Sequence, residues 1–215
     1  MSPALHKDPV EETLLLFGPQ IARIVPARLS ELRNTIISNP KLAFLKDIIK
    51  TLPHLWKSTI LTGCSQLKRL TLAGEQIEEL VRFFDTGATD ALPTPTPYEL
   101  FLVPLTVISQ IAEYISLEGE GPVQGFCVGF LAAAAVASSQ NSAELEHYTA
   151  TAVRLALCIG AVVDLDERER SGNRSSTWSV RYTSGGEEEH FRRTLTSFPE
   201  ASELLCTRLS CTNLL

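Results

Sequence analysis

The 215 residues carry a formal charge of −6, with 44% hydrophobic and 20% charged residues, a balance that excludes a largely disordered chain and allows one substantial core. No cluster of Lys and Arg offers a footprint for a phosphate backbone, which argues against nucleic acid as a partner. The longest apolar run, residues 126–137, is alanine-rich, interrupted by glycine and too short to span a bilayer, which argues against a membrane partner.

Cysteines stand at 64, 127, 158, 206 and 211, an odd number with no C-x-x-C pair. That pattern predicts reduced thiols in a cytoplasmic setting, not a disulfide framework or a zinc site. Residues 1–10 lack the apolar segment of a signal peptide.

In chain order, Thr13-Leu14-Leu15-Leu16-Phe17 is a continuous apolar run closed by Gly18-Pro19-Gln20. It predicts a buried parallel strand that delivers a loop at its C-terminal end, where open α/β sheets place ligands. Pro26 predicts the start of a helix reaching Asn34 or Ile37. A second helix opens at Pro40, with Leu42, Leu45, Ile48, Ile49 and Leu52 at helical spacing, and Pro53 is expected to stop it. His54-Leu55-Trp56 then packs as a corner, and residues 60–72 mix two periods as loop and helix. Residues 75–84 form an amphipathic helix with Ile77, Leu80, Val81 and Phe84 inward. Pro93, Pro95 and Pro97 mark an extended loop, and Pro104 is expected to start the next helix, with Leu105, Ile108, Ile111, Ala112 and Ile115 inward.

Next comes Val123-Gln124-Gly125-Phe126-Cys127-Val128-Gly129-Phe130-Leu131, with alanines following at once. An apolar run, a Gly-x-Cys-x-Gly pentad and a helix describe a strand, a sharp turn and a helix. This is the geometry of a nucleophile elbow with a thiol at its tip. The glycines permit close backbone approach, and the helix N-terminus below the sulfur would offer N–H groups to an oxyanion. A buried, unreactive cysteine in a chance pentad satisfies the same letters.

Beyond the elbow, Asn141 and Glu144 resemble a helix-capping pair. The helix they open is expected to reach Ile159, burying Leu145, Tyr148, Ala152, Leu155, Ala156 and Ile159, with Cys158 as a structural thiol. Composition then turns charged and Gly/Asn/Ser-rich, giving a core over 1–164, a linker over 165–176 and a second subdomain over 177–215. That subdomain opens with an alternating strand over 177–182 and a helix over 187–198.

Together these segments resemble the starter-unit acyl-carrier-protein transacylase domain of fungal non-reducing polyketide synthases. The resemblance covers Leu14 to about Pro199 and rests on several segments in order. These are Leu15 to Gln20, Pro104-Leu105-Thr106-Val107-Ile108, Gly125 to Phe130, Arg154 to Asp164, and Trp178 to Tyr182 with the Glu-rich stretch after it. It implies an α/β, malonyl-transacylase-like fold, here incomplete: an α/β-hydrolase-like core with an inserted ferredoxin-like subdomain.

The resemblance also implies roles. Cys127 corresponds to the nucleophile that holds the starter acyl group, and the backbone N–H groups of Val128 and Gln20 form the oxyanion hole. Without the resemblance, Gln20 reads as a loop amide capping the first helix. No cofactor is implied. The substrate travels on the phosphopantetheine of an acyl carrier protein or on coenzyme A, with a fatty acid synthase or polyketide synthase as the larger partner. Malonyl-selecting relatives carry histidine before the nucleophile and an arginine that pairs the malonyl carboxylate. Phe126 and Ile159 stand in those places and imply an uncharged acyl group. The resemblance places the base histidine beyond the insertion, past residue 215, and His6, His54, His147 and His190 lie in other segments. The alternative is therefore an inactive fragment or a carrier-binding module without turnover. A cysteine-based thioesterase would need a base and an acid later in the chain, and neither is evident.

Overall fold

In the first part of the chain two short parallel strands, an elbow and several helices pack with one apolar helix. A computed structural model describes residues 14–19, 26–62, 65–88, 98–119 and 121–171, and four single positions, 186, 189, 190 and 193. The chain divides into two compact units, residues 1–174 and 175–215. In the second, positions 186, 189, 190 and 193 are helical, and Arg193 Nε meets Glu189 Oε1 at 3.3 Å. The expected strand over 177–182, the remainder of the expected helix over 187–198 and the proline loop over 89–97 lie outside the described residues.

In the first unit the order is β1 (Leu15–Phe17), α1 (Pro26–Ser38), α2 (Ala43–Thr62), α3 (Thr71–Thr86), α4 (Glu99–Ser116), β2 (Val123–Gly125), α5 (Gly129–Ala137) and α6 (Ser142–Ser171). Short 3-10 turns, Pro40–Leu42 and Ser65–Leu70, lead into α2 and α3. The described part is mostly helical with a small sheet. β1 and β2 pair in parallel, with Leu15 opposite Val123, Leu16 opposite Gln124 and Phe17 opposite Gly125. Residues 15–17 of the apolar run are thus a strand, but of them only Phe17 is buried, and Leu14 and Leu16 are exposed.

The first half of α4 is enclosed on every side, from Leu100 through Ile108, because all but two of these nine residues are aliphatic or aromatic. By length and composition α4 and α6 are apolar enough to cross a membrane, yet α4 is the core about which α1, α3, α5 and α6 pack. Helix α4 begins at Glu99, five residues before the expected start at Pro104. Its N-terminus is capped from a distance: both carboxylate oxygens of Asp164 accept, from Glu99 N–H (2.9 Å) and Leu100 N–H (2.8 Å). Asp164 is 2% exposed and satisfies two of the donors that every helix start leaves open.

Pro53 does not stop α2, which runs through it and carries His54, Leu55 and Trp56 in place of the expected corner. An interior proline costs about 3 kcal/mol. Continuing the helix buries Leu52 and Trp56, and at about 25 cal/mol per Å² these two side chains return roughly 6 kcal/mol. Helix α3 extends the expected 75–84 helix at both ends, with Ile77, Leu80, Phe83 and Phe84 buried.

Helix α6 continues through Ser171, so residues 165–171 are helical where a linker is expected. Asn141 Oδ1 accepts from Glu144 N–H (3.0 Å), and Glu144 Oε2 accepts from Gln140 N–H (2.8 Å), which is the expected cap reaching one residue further back. The expected buried stripe is rotated. Ala152, Val153, Ala156, Leu157, Gly160 and Ala161 face the core, whereas Tyr148, Leu155 and Ile159 are exposed. A Cβ at Gly160 would overlap the Glu99 carbonyl, so the glycine lets the start of α4 approach α6 closely. Close packing of backbones thus outweighs burial of the larger side chains. Cys158, expected as a structural thiol, is exposed on the outer side of α6.

Candidate functional site

The elbow is built by backbone contacts that only glycine allows. A Cβ at Gly125 would lie 2.5 Å from Gly129 O and Phe130 Cα. A Cβ at Gly129 would overlap the carbonyl oxygens of Phe17 and Gly18. The first contact folds α5 back over the end of β2, and the second seats the start of α5 on the end of β1. Phe126 N–H donates to Phe17 O (3.0 Å) and extends the parallel pairing one step into the turn.

Cys127 sits at the tip with φ +57°, in the left-handed region where a non-glycine residue is strained by roughly 1–2 kcal/mol. Its side chain is exposed, which removes the alternative of a buried structural thiol. Gly129, Phe130 and Leu131 N–H groups donate to Phe126, Cys127 and Val128 carbonyls at 3.0, 3.1 and 3.0 Å. Val128 N–H, by contrast, has no hydrogen-bond acceptor among the described residues.

Two phenylalanines lie near the thiol in sequence and are exposed, Phe126 at 61% and Phe130 at 64%. Ile159, on α6 beside α5, is also exposed. The structure thus brings Phe126, Cys127 and Val128 together at one turn and places Ile159 on the helix packed against α5. Gln20 lies outside the described residues. Of the described histidines in the first unit, His54 on α2 and His147 on α6 are exposed, and neither hydrogen-bonds Cys127. No group of three or more His, Cys, Asp or Glu suited to a metal ion occurs among the described residues.

One residue was not singled out by sequence. Gln110, on α4, donates from Nε2 to Gly18 O at 2.8 Å. Its signal is a lone amide between Ile108 and Ile111 on an apolar helix.

A family model described as "Starter unit:ACP transacylase in aflatoxin biosynthesis" matches residues 15–209. The chain is 40% identical over 196 residues to non-reducing polyketide synthase adrD of Penicillium rubens, covering 88% of this chain and 8% of that protein. It is 33% identical over 201 residues to 5-methylorsellinic acid synthase of Aspergillus terreus, covering 86% of this chain and 8% of the relative. To methylphloroacetophenone synthase of Cladonia uncialis it is 32% identical over 206 residues, covering 87% and 8%. The chain therefore spans 8% of the length of each of these relatives.

Proposed function

Because the chain belongs to the starter unit:ACP transacylase family, we propose that it transfers a short uncharged acyl group from a thioester donor to the phosphopantetheine thiol of an acyl carrier protein, in polyketide biosynthesis. The observation that carries this reading is the exposed, strained Cys127 at the strand–helix elbow. The fold to which the elbow belongs is a malonyl-transacylase-like α/β core, with its ferredoxin-like insertion beginning in the second unit.

Cys127 Sγ, as thiolate, attacks the thioester carbonyl carbon and forms a tetrahedral oxyanion. The N–H of Val128, left open at the turn, supports its place as one oxyanion donor, and the N–H of Gln20 is the second. The donor's C–S bond breaks, its thiolate leaves and takes up a proton, and the acyl group stays on Cys127. The carrier's pantetheine thiol then loses its proton, attacks the same carbonyl and releases Cys127 as thiolate. One thioester is broken and one is made in each half, so a thiol nucleophile keeps the exchange nearly thermoneutral.

Phe126 and Ile159 set selectivity. A malonyl carboxylate placed against an apolar rim has no cationic partner, and an unpaired, desolvated charge costs several kcal/mol. The test compares loading of hexanoyl and malonyl thioesters onto Cys127, followed by transfer to a phosphopantetheinylated carrier. Faster hexanoyl loading is expected, and faster malonyl loading contradicts the assignment. A second reading, a carrier-binding module without turnover, is favoured by one observation: of the described histidines in the first unit, neither His54 nor His147 hydrogen-bonds Cys127. Acyl-enzyme that forms but does not pass to the carrier would select it.

A further inference from the structure

We propose that Phe130 discriminates among acyl chains at Cys127, by offering its ring to the first carbons of an apolar chain; this rests on the reading of Cys127 as the acylated thiol. Phe130 N–H donates to Cys127 O at 3.1 Å. That bond closes one turn of chain and keeps the two Cα atoms within about 7 Å of each other. The Phe130 backbone is held from another side by β2: a Cβ at Gly125 would lie 2.5 Å from Phe130 Cα. Its Cα is thereby fixed between the end of β2 and the turn that carries the thiol.

The direction of the ring follows from helix geometry. Cα–Cβ bonds of a helix tilt toward its N-terminus, and a long side chain covers the turn N-terminal to its own Cα. For Phe130, in the first turn of α5, that turn is residues 126–129, the elbow itself. The ring is 64% exposed, and the thiol before it is exposed as well. Ala132, Ala133, Ala135 and Val136 form the buried side of the helix, so the core makes little use of the ring. Phenylalanine is a poorer helix former than alanine, and an acidic side chain in a first turn would complement the helix dipole. Helix stability therefore favours other residues at this position. An apolar chain laid against the ring removes water from both surfaces, and each methylene fully buried strengthens binding roughly fourfold. Acetyl has no carbon beyond its methyl and gains the least, whereas hexanoyl brings a run of methylenes.

The test measures single-turnover acylation of Cys127 by hexanoyl and acetyl thioesters of the same thiol, with alkylation by iodoacetamide as the measure of the cysteine alone. The wild-type chain should load hexanoyl faster than acetyl. In F130A that preference should fall by about tenfold, the worth of one to two buried methylenes. Alanine in place of an exposed ring leaves the core contacts of α5 intact, so the variant folds. F130L keeps an apolar side chain and should retain most of the preference, which separates contact with the acyl chain from disturbance of the elbow. Hexanoyl and acetyl rates that fall together in F130A, or a preference that F130A leaves unchanged, overturn the role of Phe130. A wild-type chain that acylates Cys127 without preferring hexanoyl also overturns it. A wild-type chain alkylated at Cys127 but acylated there by neither thioester overturns instead the reading on which the role rests.

Discussion

Cys127 is held at φ +57°, and the thiol is reached at the expense of backbone strain. Comparison of C127A with C127G isolates that strain, since neither variant carries a nucleophile. Glycine adopts the left-handed region freely, so C127G should be the more stable by roughly 0.5–1 kcal/mol in denaturant unfolding, after its larger chain entropy is allowed for. Equal stabilities would show that the tip is unstrained. The flanking glycines are predicted to tolerate nothing larger. G125A and G129A each drive a methyl into backbone atoms that cannot rotate away, and each should cost several kcal/mol or prevent folding. The pentad is the part of the site that was legible in the sequence, because its geometry is local: strand, turn and helix follow in nine residues. Gln110 was not legible, because its partner, Gly18, is distant in the chain and its signal is a single polar side chain in an apolar helix.

The helices show where local rules give way to tertiary contacts. Prolines 53 and 104 were expected at a helix end and a helix start, and both lie inside helices. In each case buried side chains on both sides of the proline outweigh its lost hydrogen bond. The start of α4 depends on Asp164, 64 and 65 positions further along, so no window on the sequence around Glu99 reveals it. D164A leaves two N–H groups without their acceptors and should cost about 2–3 kcal/mol, and D164N, which keeps one acceptor oxygen, should cost less. Unfolding in urea checks both, and a neutral D164A would mean that water caps the helix equally well. At the other end of α4, Glu118 adopts φ +49° where glycine is usual, while Gly119 N–H donates to Tyr114 O at 3.1 Å. E118G should therefore stabilise the chain by up to about 1 kcal/mol. A hydrogen bond from Lys41, and then its charge, hold the Glu118 carboxyl below its usual pKa. A depressed folded-state value contributes stability above the unfolded pKa and loses it as pH falls through the folded one. Both groups are exposed, so this contribution is small, and K41A should remove it without changing stability in acid.

Across the whole first unit, the division of labour is between an enclosed α4 and a sparsely covered surface around the elbow. The two strands, the order of the elbow and the existence of most helices were readable from apolar runs and turn residues, whereas the pairing of the strands was not. Nor was the phase of α6, because α4 approaches so closely at Gly160 that no Cβ fits there, and hydrophobicity alone ranks Leu155 and Ile159 above it. The result leaves Ile159 exposed, as Phe126 and Phe130 are at the elbow. The central claim is that Cys127 is the residue that takes the acyl group. Its most direct test is incubation of the protein with a hexanoyl thioester, proteolysis, and mass-spectrometric mapping of the adduct. The account predicts hexanoyl on the peptide containing Cys127 and its loss in C127A. Hexanoyl confined to Cys64, Cys158, Cys206 or Cys211, or retained in C127A at the wild-type level, would contradict it.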